Sequence, residues 1–179
     1  MRVTLFVPRG WIVLGLAFIF LTISPAMIVS VWALTDAPQT RATIKGIQAI
    51  KVLVERINPE AEKDGLRMDQ LQNDVELRLR KAGIVVTPSA EPPAEAVLYV
   101  NVSTHKSLNL YAIDFSVNLG QAVMLVRDLK MSTSIIAATW HRGAVGLADR
   151  DNLRTYVRDG LADLVDEFIN AYLEQNPKR

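Results

Sequence analysis

Beyond residue 46 the chain switches repeatedly between two hydrophobic periods, and the switches mark out its elements. Ile50, Val52 and Val54 alternate with Lys51 and Glu55, the two-residue period of a strand with one buried face. Asn58-Pro59-Glu60 ends that strand, and the charged stretch through Gly65 reads as a loop. From Met68 the period lengthens: Met68, Leu71, Val75, Leu79 and Ala82 recur every three or four residues, with Asp69, Gln70, Asn73, Glu76 and Arg80 between them. The pattern predicts an amphipathic helix, and Gly83 stands where a left-handed C-terminal cap belongs. Ile84-Val85-Val86 reads as a short strand, and Pro88, Pro92 and Pro93 then require a surface loop.

Three longer β runs follow. Leu98, Val100 and Val102 alternate with Tyr99, Asn101 and Ser103. Tyr111, Ile113, Phe115, Val117 and Leu119 oppose Ala112, Asp114, Ser116 and Asn118, and the run continues through Val123, Leu125 and Arg127, so a bulge or bend belongs near Gly120-Gln121. Ile136, Ala138 and Trp140 are expected on one face of the third run, with Ile135, Ala137, Thr139 and His141 on the other. Polar turns at Lys106–Leu110 and Asp128–Ser134 make the three an antiparallel meander. Gly143-Ala144-Val145-Gly146 is expected as a loop into a last helix, Asp151–Glu174, whose apolar stripe runs from Leu153 through Val157, Leu161, Leu164 and Phe168 to Leu173. Asp149 or Asp151 would cap that helix, and Gly160 within the stripe implies close contact with a neighbouring backbone.

These elements assemble into an α+β fold: a two-layer sandwich with a mainly antiparallel sheet of about four to five strands and two helices on one face, in the order β-α-β-β-β-β-α. One domain is expected over residues 47–179, preceded by a loose linker over residues 34–46 that includes the polar stretch Pro38–Gly46. The order and lengths of the elements from Ile47 to about Gln175 resemble the small periplasmic domains of the amino-terminal TolB type, shared with some cell-wall-synthase activator lipoproteins and accessory proteins of ABC transporters. The resemblance is one of topology. It implies an interaction domain and carries over no functional residues, and the chain departs from the lipoprotein members in having no lipobox cysteine.

Residues 1–33 are read separately, as a signal peptide or membrane anchor. No charged residue lies between Arg9 and Asp36, and the run Trp11–Leu34 exceeds the roughly 20 apolar residues a spanning helix needs. Pro25 interrupts that run, either ending the core of a cleaved leader or kinking a spanning helix, and Val31-Trp32-Ala33 offers small residues for cleavage after Ala33. In either case Arg2 and Arg9 stay inside and the domain is delivered to the periplasm or beyond, secreted or tethered to the inner membrane. The absence of cysteine excludes a lipid-modified N-terminus, a disulfide framework and thiolate–metal chemistry. With Arg2 and Arg9 set aside, eighteen basic residues face nineteen acidic ones, and no basic stripe suits nucleic acid.

Candidate chemistry is sparse. His105 and His141 are the only histidines, too few for a metal site without a spaced third ligand. Their strand-end positions could bring them together. Asp149-Arg150-Asp151-Asn152 lacks the glycine and bidentate acid of a calcium loop, and neither Ser103 nor Ser116 lies in a Gly-x-Ser-x-Gly elbow. No metal or cofactor is expected. The stronger lead is the polar sheet face, with Tyr99, His105, Asp114, Thr139 and His141 as candidate binding residues. The expectation is a non-enzymatic binding module for an envelope protein or cell-wall component. The alternatives are an exported hydrolase using His105 or His141, and a carrier holding an apolar ligand between the sheet and the last helix.

Overall fold

In a computed structural model, residues 37–88, 96–125 and 135–177 are described, and the leader, its cleavage positions and the turn at 128–134 lie outside them. In chain order the elements are α1 (Pro38–Ala42), β1 (Ala49–Val54), α2 (Pro59–Lys63), α3 (Met68–Lys81), β2 (Val85–Val86), β3 (Ala96–Ser107), β4 (Leu110–Val123), β5 (Ile135–Asp149) and α4 (Leu153–Gln175). The strands form one sheet in the order β2-β1-β3-β4-β5. β1 runs parallel to both its neighbours, whereas β3, β4 and β5 form the antiparallel meander. Parallel neighbours need a crossover, and α2 and α3 supply it between β1 and β2. The result is the α+β sandwich that the periodicities predict.

One face of the sheet is buried under α3 and α4. Ile50, Val52, Val54, Leu98, Val100, Val102, Ile113, Phe115 and Val117 meet Leu71, Val75 and Leu79 of α3 and Val157, Leu161, Val165 and Phe168 of α4. Among the described residues no polar or charged residue is buried in this core. α3 ends as its sequence predicts: Gly83 has φ +84°, its N–H donates to Arg80 O at 2.9 Å, and the Ile84 N–H donates to Leu79 O at 3.0 Å. That pair of bonds satisfies the last carbonyls and stacks Ile84 on Leu79 inside the core.

Several local expectations are corrected. The stretch Pro38–Gly46 is no loose linker: Pro38 opens α1, Arg41 pairs with Glu174 at 2.6 Å, and Ile44 is fully buried. The charged loop after β1 contains α2, because Asn58 Oδ1 accepts the Glu60 N–H at 2.9 Å and Pro59 occupies the first turn, where a missing N–H costs nothing. Asn152, not Asp149 or Asp151, is the N-cap of α4, although Asp149 Oδ1 accepts the Asn152 N–H at 2.9 Å. Met68 is 40% exposed, so the buried stripe of α3 begins at Leu71.

The largest correction concerns β5. Gly143–Gly146 is strand, held by register with Asp114, Phe115 and Ser116 of the long β4. The expected irregularity at Gly120 is present, as a register shift between Leu119 and Gly120, but the extra residue is Thr139 on β5. That bulge breaks the alternation, so Trp140 is 2% exposed while Ile136, expected on the same face, is 71% exposed.

Candidate binding face

Among the described residues no helix covers the other face of the sheet. Strand pairing arranges its side chains in rows across β3, β4 and β5: Tyr99–Asn118–His141, Asn101–Ser116–Gly143, Ser103–Asp114–Val145 and His105–Ala112–Leu147. Leu53 of β1 extends the first row. Tyr99, Asp114 and His141 therefore share this face, as their period-two positions predict, and His105 joins them. Thr139 does not. Carried to the helix side by the bulge, its hydroxyl accepts from Gln121 Nε2 at 2.6 Å, and the same amide reaches Thr43 O at 3.1 Å.

The face has a polar half and an apolar half. In the polar half, the Glu55 carboxylate accepts from the Tyr99 hydroxyl and from Asn101 Nδ2. These bonds, Tyr99's first, hold the Glu55 carboxyl below its ordinary range, and the same contact raises the Tyr99 phenol. His141 Nδ1 lies 2.6 Å from Asn118 Oδ1, and Asn118 Nδ2 donates to Ser116 Oγ at 3.2 Å. In the apolar half, Leu110, Val145 and Leu147 are exposed large side chains, Val145 at 77% and Leu147 at 63%. Val145 and Leu147 border a shallow groove of about 530 Å³ that Ser103, His105, Ala112 and Asp114 also line.

The two histidines are not brought together. Their rows lie six β3 residues apart, about 20 Å along the strand. Ser103 Oγ is directed to Asn101 Oδ1 at 3.2 Å, and no hydrogen bond links it to His105 among the described residues. No three His, Asp or Glu side chains converge as metal ligands among the described residues.

On the helix side, a cleft of about 600 Å³ opens between β4, β5 and α4, lined by Phe115, Ala144, Tyr156 and Gly160 and rimmed by Asp159, Asp163 and Glu167. Farther along, Trp140 packs edge-on to Phe168, with ring centroids 5.2 Å apart. A separate polar cluster ties α2 to the β3–β4 hairpin: Asp64 Oδ2 accepts from Lys106 Nζ at 2.5 Å and from the Tyr111 hydroxyl at 2.7 Å. Lys106, then Tyr111, holds the Asp64 carboxyl below its ordinary range. Among the described helices, none is long and apolar enough to cross a membrane.

Sequence reasoning missed Glu55, Val145 and Leu147. The period-two position of Glu55 puts it on the polar side of β1, but its place beside Tyr99 depends on the parallel pairing of β1 with β3, and the glycines at 143 and 146 concealed the strand that displays Val145 and Leu147.

The sequence matches no protein-family model and no curated protein. Among solved structures it is similar to the PelC dodecamer from Paraburkholderia phytofirmans, at 13% identity and TM-score 0.39, over 74% of this chain and 89% of that one. Lipoprotein GNA1162 from Neisseria meningitidis is similar at 15% identity and TM-score 0.35, over 68% and 97%. A minor lipoprotein from Acinetobacter baumannii is similar at 7% identity and TM-score 0.28, over 69% and 91%.

Proposed function

We propose that the chain is an exported envelope protein that acts by binding, without catalysis, and that its open sheet face is the binding surface. The observation that carries this reading is the division of that face into the Tyr99–Asn118–His141 row and the exposed Val145–Leu147 strip. A surface with aromatic and amide groups beside apolar ones suits a protein or cell-wall partner. Export is read from the uncharged run Trp11–Leu34. The hydrolase alternative loses support from the separation of the histidines and the turning of Ser103 toward Asn101. The carrier alternative is disfavoured by the three carboxylates rimming the cleft beside α4.

The test is capture of envelope components by the full chain, by the open-face variant Asp114→Lys with His141→Glu, and by a helix-layer variant, Glu62→Lys. Capture should fall at least tenfold in the face variant and persist in the helix-layer variant. Equal capture by all three overturns the reading.

A further inference from the structure

We infer that β5 is completed by β5 of a second copy, two antiparallel edge strands meeting about a two-fold axis beside Val145. β5 ends the sheet, and among the described residues β4 is its only strand neighbour. The Arg150 N–H donates to Asn109 O at 3.0 Å, which fixes the alternation: even-numbered residues of this stretch direct their backbone groups to β4, and residues 141, 143, 145 and 147 direct theirs to the free edge. Monomeric proteins blunt such an edge with lysine, proline, a bulge or an inward charge, and β5 carries a bulge at Thr139 and the inward Arg142, paired with Glu167 at 2.7 Å, only at the start of the straight stretch. Gly143-Ala144-Val145-Gly146-Leu147-Ala148 contains none of these. An edge whose amides and carbonyls have no strand partner among the described residues calls for another strand rather than a lipid or a helix.

The side chains select a second copy and the register. The bulge at Thr139 and the strand end at Asp149 limit the straight stretch. With the axis beside Val145, Leu147 of each copy lies opposite Gly143 of the other, and His141 lies opposite Asp149. On the helix side Ala144 then lies opposite Gly146 and Arg142 opposite Ala148. Apart from Val145 on the axis, each large side chain meets a small one, and the imidazole meets a carboxylate. An axis one residue earlier would set His141 against Leu147 instead. The pairing joins the two open faces into one continuous sheet and merges their Val145–Leu147 strips. It does not depend on capture of a partner by that face.

Because the chain has no cysteine, single-cysteine variants report the register directly. Across the axis the two Val145 Cα atoms would be about 5.5 Å apart, within disulfide range, and the two Leu147 Cα atoms about 14 Å apart. The full chain carrying Val145→Cys, oxidised in the membranes of the cells that make it, should give at least fivefold more covalent dimer than the chain carrying Leu147→Cys. Equal yields from the two overturn the register. Leu147→Lys, in an otherwise unaltered chain, should lower the dimer fraction at least tenfold by size exclusion with light scattering, while Leu77→Lys on α3 leaves it unchanged. A dimer that survives Leu147→Lys, or an unaltered chain that is monomeric at tens of micromolar, overturns the pairing itself.

Discussion

Gly160 gives the sharpest stability test, because helix propensity and packing predict opposite signs for one substitution. Within an otherwise regular α4, replacing glycine by alanine should stabilise by about 1 kcal/mol. A Cβ at Gly160 would, however, lie 2.4 Å from Phe115 Cζ and 2.7 Å from Cε2. Ordinary carbon contacts are about 3.5–4.0 Å, so the overlap is about 1 Å. Phe115 is 3% exposed and lies edge-on to Tyr156, with centroids 6.2 Å apart, so a ring that yields to the new methyl gives up that contact. Overpacking of this kind costs about 1–3 kcal/mol. The overlap involves two ring atoms of a buried side chain, so the upper part of that range applies and Gly160→Ala should destabilise by about 1–2 kcal/mol net. For a domain of this size the melting temperature should fall by about 3–7 °C, followed by circular dichroism and checked by urea unfolding. In a Phe115→Leu background the same substitution should become neutral or stabilising, which is the double-mutant signature of direct contact. A rise in melting temperature for Gly160→Ala alone would refute the packing argument.

Three further outcomes follow from the same structure. Leu108, in the β3–β4 turn, is 96% exposed with φ +56°, a conformation that disfavours a bulky L-residue, so Leu108→Gly should stabilise by about 1 kcal/mol in urea titration. Asp64 has its folded pKa below the ordinary value of about 3.9, so its contribution to stability is present above that pH and is lost as pH falls through the lower folded value. Asp64→Asn should therefore be less stable at neutral pH and lose less on acidification, measured as melting temperature against pH. Arg158 and Asp74 join α4 to α3 at 2.7 Å with about a third of each side chain exposed, so Asp74→Asn should cost less than about 1 kcal/mol and the effect should vanish in 1 M salt.

Periodicity made much of the fold legible because burial on one face imposes it. The α4 stripe predicts Asp151–Glu174 and the helix spans Leu153–Gln175; the alternation from Tyr111 to Leu119 likewise recurs as burial along β4. What remained hidden depends on partners distant in sequence. Gly143–Gly146 has the composition of a turn, and only the length of β4 opposite it makes it strand. The parallel placement of β1 beside β3 leaves no local trace, since both faces of the decision lie more than forty residues apart. Gly160 was correctly read as a site of close approach, but the neighbour is the Phe115 ring rather than a backbone. Among the candidate binding residues, Tyr99, His105, Asp114 and His141 followed strand parity onto the open face, and Thr139 was lost to it because a single inserted residue reverses the parity of everything before it.

Site-specific photo-crosslinking in living cells shows whether the open sheet face meets a partner in the envelope. A benzophenone side chain in place of Tyr99 places the probe on that face, and one in place of Leu77 places it on the exposed side of α3. A discrete heavier adduct from position 99, distinct from a dimer of this chain and missing at position 77, is the predicted result. Adducts from position 77 with none from position 99 would mean that the open face is not the binding surface.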